Sequence, residues 1–179
     1  ELGLDAYLPL GDPTRFLGAL ATLFGRCRDE DVSPSDYRAH ADALAASAAV
    51  ATTGRGLAPA AERDDPAAVE ALAALAARQG ELASAYGRYA ELLAASGSID
   101  FGDQVALALR LLRESPATLS TVRARYRYIL VDEFQDTNPV QSALVGLLAE
   151  RHRNITVVGD DDQSIYRFRG AAIRNILEF

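Results

Sequence analysis

Two groups of carboxylates follow two short apolar runs in the last third of the chain. Asp132 and Glu133 come directly after "YILV", and Asp160, Asp161 and Asp162 come directly after "ITVVG". A carboxylate can hold Mg²⁺, usually through water, and phosphate oxygens then hold the metal from the other side. A neighbouring carboxylate can orient an attacking water and take its proton. An apolar strand that ends in Asp-Glu is therefore the chemical pattern of a nucleoside-triphosphate hydrolase of the Walker B type.

The segments around these carboxylates alternate strand, helix and strand. "RYILVD" and "NITVVGD" are continuous apolar runs, typical of strands buried on both faces of a parallel sheet. Between them "NPVQSALVGLLAERH" has helical periodicity, with Thr137 or Asn138 as the cap and Pro139 at the first position. This order predicts parallel strands with a right-handed crossover. Because ligands of such sheets bind beyond the carboxyl ends of the strands, we expect both groups of acids at one edge of the sheet.

The residues before this unit predict helices. Helical spacing of apolar residues covers 12–27, 33–50 and 66–95, and a further helix begins near Asp100 and ends at Pro116. The buried stripe of the third helix is expected to consist of Leu72, Leu75, Leu82, Tyr86, Tyr89 and Leu93. The segment "TTGRGLAPAAERDDP" is expected to be a loop, and "SGS" at 96–98 marks a boundary. The sequence thus predicts a helical part, residues 1–98, and an α/β part, residues 99–179.

The composition excludes several classes of protein. All 18 basic residues are arginine, the net charge is −7, and Cys27 is the single cysteine. One cysteine excludes an internal disulfide and a Cys-rich zinc site. The acidic balance gives no support for a broad nucleic-acid-binding surface, so any such contact must be local. No apolar run reaches the roughly 18–20 residues of a membrane helix and no signal peptide opens the chain, so we expect a cytoplasmic protein.

Longer motifs in the chain resemble a known family. "DEFQDT" followed by "VVGDDDQSIYRFRGA" strongly resembles motifs II and III of the UvrD/Rep/PcrA family of superfamily 1 DNA helicases. Upstream, "DVSPSDY", "YGRYAELL" and "IDFGDQ" resemble the helical subdomain 1B of that family and its return into domain 1A. The resemblance implies that residues 99–179 form part of an α/β P-loop NTPase domain of the RecA-like type. It also implies that residues 1–98 form a mainly α-helical subdomain 1B.

The resemblance also implies roles in ATP hydrolysis. Asp132 matches the family residue that helps to hold Mg²⁺, and Glu133 matches the general base for the hydrolytic water. Gln163 matches the motif III glutamine that senses the γ-phosphate and links the nucleotide state to the grip on DNA. ATP and Mg²⁺ are thus the implied cofactors.

Contacts with DNA are implied for three further positions. Tyr166 and Phe168 fall where the family places aromatic residues near single-stranded DNA, and Arg169 is similar to the motif III arginine that contacts DNA or couples the two sites. Base–aromatic stacking contributes roughly 1–3 kcal/mol per base and tolerates any sequence, which suits a motor that passes over all bases. The chain departs from the family at Gln104, which stands where the "DFxDL" element has an apolar residue.

A P-loop needs G-x-x-x-x-G-K-[ST], in which the lysine binds the β- and γ-phosphates. The chain has no lysine. The family carries this motif upstream of the residues present here and domain 2A downstream. We therefore expect an internal part of a longer helicase that moves on single-stranded DNA, implied to be 3′–5′, and unwinds duplex DNA at junctions in the bacterial nucleoid, during repair, replication or recombination. The 179 residues alone are expected to be inactive.

Two other functions stay open. The parent protein is alternatively a helicase-like subunit without a P-loop that binds DNA or serves as a scaffold. As a second alternative, the parent protein is a helicase–nuclease of the AddA or RecB type, and this chain belongs to its motor part. The intact "DEFQDT" and Gln163 count against the first of these, because a subunit without ATPase activity has no chemical need for them.

Some of the acidic and aromatic residues have a structural explanation beside the functional one. Asp136, Asp161 and Asp162 are as typical of caps and turns as of a metal site. Phe168 is alternatively an aromatic residue of the hydrophobic core and not a contact for DNA.

Other polar residues fit a structural role better. Three alternating arginines precede the first strand and favour a solvated face over a phosphate track: Arg123, Arg125 and Arg127. His40 and His152 lack metal-ligand spacing, and Cys27 is expected to be a small buried residue.

Overall fold

The computed structural model describes residues 4, 5, 7, 13–53 and 65–160 of the chain. Within them the protein is mainly helical, with a two-stranded parallel sheet. The helices are α1 (Pro13–Asp29), α2 (Pro34–Thr53), α3 (Pro66–Ala95), α4 (Phe101–Glu114), α5 (Pro116–Arg125) and α6 (Pro139–Ala149), and the strands are β1 (Ile129–Val131) and β2 (Ile155–Val157). A short 3₁₀ turn, Phe134–Asp136, follows β1. The parallel pairing of β1 and β2 confirms the predicted strand–helix–strand unit.

The chain divides into two compact units. The first consists of Glu1–Gly18 and Ser33–Ser98, and the second consists of Ala19–Val32 and Ile99–Phe179. Residues 33–98 are therefore an insertion within the sequence of the second unit. The sequence prediction put residues 19–32 with the helical part, whereas the structure groups them with the residues after 98.

The start of α2 is fixed by a capping box in the first unit. The Asp36 backbone N–H donates to Ser33 Oγ at 3.1 Å, and the Ser33 backbone N–H donates to the Asp36 carboxylate at 3.0 Å. These bonds satisfy backbone donors that the helix itself leaves unpaired. The Ser33 hydroxyl also donates to the Asp36 carboxylate at 2.5 Å, and this bond, together with the one from the Ser33 backbone N–H, lowers the pKa of the Asp36 carboxyl below its ordinary value. Ser33 is therefore the N-terminal cap of α2.

The core of the first unit lies between α2 and α3, which pack along each other. The Tyr37 hydroxyl donates to Gln79 Oε1 at 2.6 Å, and the Tyr37 ring meets the buried Tyr86 ring edge-on with centroids 6.1 Å apart. Most of the other buried side chains are alanines, which allow two helices to approach closely: Ala41, Ala48, Ala76, Ala83 and Ala85.

The predicted stripe of α3 is right at its centre and wrong at one position. Leu82 and Tyr86 are buried, and Leu72, Tyr89 and Leu93 are half-buried. Leu75, in contrast, is 43% exposed. The buried residue at this turn is Ala76, which lies about 100° around the helix from Leu75.

In the second unit, α4, α5 and α6 pack against each other. Asp100 and Asn138 start α4 and α6 with capping boxes completed by Asp103 and Gln141. Gln104, the departure from the family pattern, is exposed on α4, so a polar side chain there does not disturb the packing. The buried apolar residues come from α1, α4, the 3₁₀ turn and α6, and none comes from α5: Leu20, Phe24, Cys27, Leu109, Leu112, Phe134, Val140 and Ala149.

Helix α5 was not predicted from the sequence. Pro116 was interpreted only as the end of the preceding helix, but it also occupies the first position of α5, where a missing N–H costs nothing. The Ser115 side chain caps this helix by accepting the Thr118 backbone N–H at 3.3 Å. Ser-Pro is therefore both a stop and a start signal here.

The two strands pair in register, with Ile129 opposite Ile155 and Val131 opposite Val157. These four side chains are half-buried on one face of the sheet. Leu130 points to the other face and is 80% exposed. Thr156 on the same face of β2 is exposed as well, so the prediction that the strands are buried on both faces is wrong for β1 and for β2.

The end of α1 binds the start of α4. The Arg28 guanidinium is buried at 5% exposure, and its Nε donates to Asp103 while Nη1 lies 3.4 Å from Asp100. A Cβ at Gly102 would lie 3.1 Å from Arg28 Cδ, so the arginine stem rests directly on this glycine.

Two residues that follow Arg28 also bind side chains of the second unit. The Asn138 side-chain amide donates to Asp29 Oδ1 at 2.7 Å, and Arg113 donates to Asp31 at 2.6 Å. We call Arg28, Asp29 and Asp31 the α1 clamp. The clamp holds residues 19–32 to α4 and α6 across the insertion, and this explains their place in the second unit.

Candidate functional site

The two predicted catalytic carboxylates lie at the carboxyl end of β1. Asp132 and Glu133 are both exposed, and the Glu133 backbone N–H donates to Asp132 Oδ1 at 3.0 Å. Glu133 has a left-handed backbone, with φ 51° and ψ 43°. This conformation costs a residue with a side chain about 1–2 kcal/mol, so the surrounding structure must hold it.

The loop after β2 reaches the same edge of the sheet. The Val158 N–H donates to the Val131 carbonyl at 2.8 Å, and the Phe134 N–H donates to the Val158 carbonyl at 2.9 Å. These bonds continue the pairing of the strands beyond their last residues. The left-handed turn at Glu133 is what directs Phe134 back to Val158 and into the core, where Phe134 is buried. The expectation that both groups of acids lie at one edge of the sheet is confirmed for Asp132, Glu133 and the backbone of Asp160, while Asp161 and Asp162 lie outside the described residues.

Gln135 joins the two loops. Its side chain is 1% exposed, its Nε2 donates to Glu133 Oε2 at 2.5 Å, and its Oε1 accepts the Asp160 backbone N–H at 2.9 Å. A Cβ at Gly159 would lie 2.8 Å from Gln135 Oε1 and 3.3 Å from its backbone N, so this approach requires glycine. The motif "DEFQDT" contains Gln135, but no local pattern indicates its role, because its burial depends on a contact with Asp160 across 25 positions.

The remaining predicted site residues lie outside the described residues. They are Gln163, Tyr166, Phe168 and Arg169, together with Asp161 and Asp162. Their roles in sensing ATP and in contacting DNA stay predictions.

Asp136 does not cap a helix. Its Oδ1 is buried and has no hydrogen-bond partner among the described residues. Together with Asp29 and Asn138 it lines a cavity of about 470 Å³ between the end of α1, the start of α4 and the 3₁₀ turn, within the second unit. Burial raises the pKa of the Asp29 carboxyl, and the hydrogen bond from Asn138 only partly offsets this rise.

The arginines before β1 have separate roles. Arg123 Nε donates to the Leu147 carbonyl at 3.1 Å, and its Nη2 contacts Glu150 at 2.6 Å. The cation therefore stabilises the C-terminal end of α6, where unpaired carbonyls attract positive charge. Arg125 and Arg127 are exposed, as expected of a solvated face, but Arg123 is neither on that face nor part of a phosphate track.

The histidines and the cysteine have structural surroundings. His152 accepts the Asn154 N–H at Nδ1 and lies with Nε2 3.2 Å from the Tyr126 carbonyl, so it braces the turn before β2. His40 is exposed on α2. Cys27 is buried as predicted, and burial raises the pKa of its thiol. Among the residues that the structure describes, no group of three or more His, Cys, Asp or Glu side chains could hold a metal ion by itself.

Comparison with known proteins decides the family. The profile of the UvrD/REP helicase N-terminal domain family matches residues 19–179. The chain belongs to the UvrD/REP helicase family. The match of this family begins at Ala19, the residue at which α1 enters the second unit, and it includes the predicted site residues from Asp132 to Arg169.

Curated UvrD/REP-type relatives carry the name ATP-dependent DNA helicase PcrA. The protein of Leuconostoc citreum is 45% identical over 101 residues, which cover 56% of this chain and 14% of that protein. The protein of Bacillus subtilis (strain 168) is 48% identical over 94 residues, which cover 52% of this chain and 13% of that protein. The aligned stretch thus spans about one seventh of the length of the Leuconostoc relative.

No helix in the described ranges combines the length and the apolar character that a membrane span requires.

Proposed function

We propose that this chain is the part of an ATP-dependent DNA helicase that carries the Walker B carboxylates, within a RecA-like domain. The observation that carries the proposal is the meeting of Asp132, Glu133 and the Asp160 main chain at the carboxyl edge of a parallel sheet. Ligands of α/β sheets bind at this edge. Family membership and the names of the relatives support the same function.

The carboxylate of Asp132 fits a magnesium ion that keeps most of its waters. Asp132 is exposed, and its Oδ1 is occupied by the Glu133 N–H, while Oδ2 makes no hydrogen bond among the described residues. Mg²⁺ in nucleotide sites is bound through one or two carboxylates together with phosphate oxygens, so a single protein carboxylate is sufficient here. The ion, when bound, neutralises charge on the phosphates of ATP.

Glu133 is proposed as the general base. Its carboxylate is exposed, and the left-handed backbone holds it at the sheet edge while the next residue turns into the core. From there it orients a water for attack on the γ-phosphate and accepts the proton that the water loses. Gln163 is proposed to sense that phosphate, and Tyr166, Phe168 and Arg169 are proposed to contact single-stranded DNA.

The test is Glu133→Gln in the full-length protein that carries this chain. The substitution keeps the size of the side chain and removes the base, so we expect DNA-stimulated ATP hydrolysis to fall by about 10²–10⁴-fold. The affinity for a fluorescent ATP analogue is expected to be unchanged. Glu150→Gln is the matched control, because Glu150 is exposed and pairs with Arg123 at the C-terminal end of α6, before the start of β2 and away from the carboxyl edge of the sheet.

Hydrolysis at the wild-type rate in Glu133→Gln would contradict the assignment of the base. A full-length wild-type protein that binds DNA without hydrolysing ATP would favour the non-catalytic subunit instead. Unwinding of 3′-tailed but not 5′-tailed duplexes is expected for 3′–5′ movement, and preference for 5′ tails would contradict that direction.

A further inference from the structure

Gln135 is the buried polar residue closest to the proposed chemistry, and its two hydrogen bonds run to different loops. One bond goes to the Glu133 carboxylate at 2.5 Å, and the other comes from the Asp160 backbone N–H at 2.9 Å. A buried amide side chain left without partners is destabilising, so both bonds are expected to persist. The side chain thus joins the end of β1 to the loop after β2.

The position of the Glu133 carboxylate depends on this contact. The side chain of Glu133 is exposed and has several rotatable bonds, so solvent alone would leave its carboxylate in many orientations. The Gln135 side chain, in contrast, is 1% exposed and fixed at both ends. A donor that is itself immobile selects one orientation of the carboxylate that it binds.

The loop after β2 is built to admit this amide. Gly159 has no side chain, and a Cβ there would lie 2.8 Å from Gln135 Oε1. The backbone of Gly159 is not in the left-handed region, so the requirement for glycine at this position comes from the approach of Gln135. A substitution at Gly159 therefore tests the same contact from the opposite side.

We propose that Gln135 is a positioning residue that orients the Glu133 carboxylate and ties it to the loop after β2. This inference rests on the proposed function of Glu133 as the base. A shift of the loop at Asp160 is passed through the amide to the carboxylate, and the rate of hydrolysis thereby depends on where that loop lies.

The experiment measures kcat and KM for ATP in the full-length protein with single-stranded DNA present. Gln135→Met removes both hydrogen bonds with little change in volume. Gln135→Glu keeps an oxygen that accepts the Asp160 N–H but loses the donor to Glu133. We expect both variants to lower kcat by about tenfold to a hundredfold, the range for a misplaced catalytic group, with little change in KM. If the Gln135 side chain served only to hold the loop after β2, Gln135→Glu would keep the wild-type kcat, because its oxygen still accepts the Asp160 N–H.

Two further variants complete the design. Gly159→Ala is expected to lower kcat in the same way, and it keeps the proposal testable if Gln135→Met does not fold, as judged by circular dichroism. Gln104→Met makes the same change at an exposed site on α4 and is expected to keep the wild-type kcat. In a Glu133→Gln background, Gln135→Met should lower the residual rate no further, because no carboxylate remains to be positioned.

The outcomes separate the two proposals. Wild-type turnover in Glu133→Gln overturns the assignment of the base, whatever the Gln135 variants do. Loss of turnover in Glu133→Gln together with wild-type kcat in Gln135→Glu or in folded Gln135→Met overturns the positioning role alone. An additive loss in the double variant also overturns it.

Discussion

Replacing Arg28 with alanine is expected to weaken the second unit specifically. The guanidinium is 5% exposed, and it binds Asp103 and Asp100 at the start of α4. Both carboxylates also form the capping box of that helix. Arg28→Ala therefore removes a cation from a place where two negative side chains remain close together.

The magnitude follows from the two contacts. A hydrogen bond between charged groups contributes about 1.5–3 kcal/mol, which we assign to Asp103. Asp100 is 26% exposed at 3.4 Å, so its pairing adds only about 0–1 kcal/mol. The expected loss in the free energy of unfolding is thus about 2–4 kcal/mol, or roughly 5–15 °C in Tm for a chain of this length.

Thermal unfolding of the purified chain by circular dichroism and calorimetry measures this loss. Arg26→Ala is the matched control, because Arg26 lies in the same last turn of α1 but is exposed. Both variants remove one positive charge from the C-terminal end of the helix, so the difference between their Tm values isolates the buried contacts. Equal Tm values for the two variants would refute the reasoning.

Three further predictions concern the same region. Gly102→Ala is expected to lower Tm, because its Cβ would lie 3.1 Å from Arg28 Cδ, and the loss should disappear in an Arg28→Ala background; equal losses in both backgrounds would count against the contact. The raised pKa of Asp29 means that its contribution to stability is present below its ordinary value of 3.8 and is lost as the pH rises through the folded-state value. Asp29→Asn keeps an acceptor for Asn138 and should therefore match or exceed the wild-type Tm at pH 7. In urea-unfolding curves the free energy of unfolding of this variant should depend less on pH between 4 and 7 than that of the wild type. A lower Tm at pH 7 would show that the charge is stabilising. Cys27 is buried with a raised thiol pKa, so a thiol reagent should label it in denaturant but only slowly in the native protein; rapid native labelling would contradict its burial.

Local signals made the helix starts and the strands predictable. Ser33, Asp100 and Asn138 are side chains whose capping role depends only on neighbours three residues away. The strands and their acidic ends followed from short apolar runs, and the parallel order followed from the helix between them.

Contacts between distant residues could not be predicted in this way. Arg28 meets Asp103 across 75 positions, and nothing near Arg28 in the sequence distinguishes it from the exposed Arg26. Gln135 meets Asp160 across 25 positions, and its burial depends on a glycine in another loop. The exposure of Leu130 likewise depends on which residues cover the second face of the sheet, which a single strand does not specify.

The α1 clamp also has a consequence for how the sequence of this protein can vary in length. Because Arg28 binds Asp103 and lies 3.4 Å from Asp100, the points where residues 33–98 leave and rejoin the second unit are held side by side. The inserted residues are therefore a closed loop, and the entropy of closing such a loop grows only with the logarithm of its length. Doubling the loop costs about 0.6 kcal/mol. Insertions and deletions between residues 33 and 98 therefore cost the second unit little free energy as long as the α1 clamp is kept. This segment can thus vary in length while the carboxyl edge of the sheet stays unchanged.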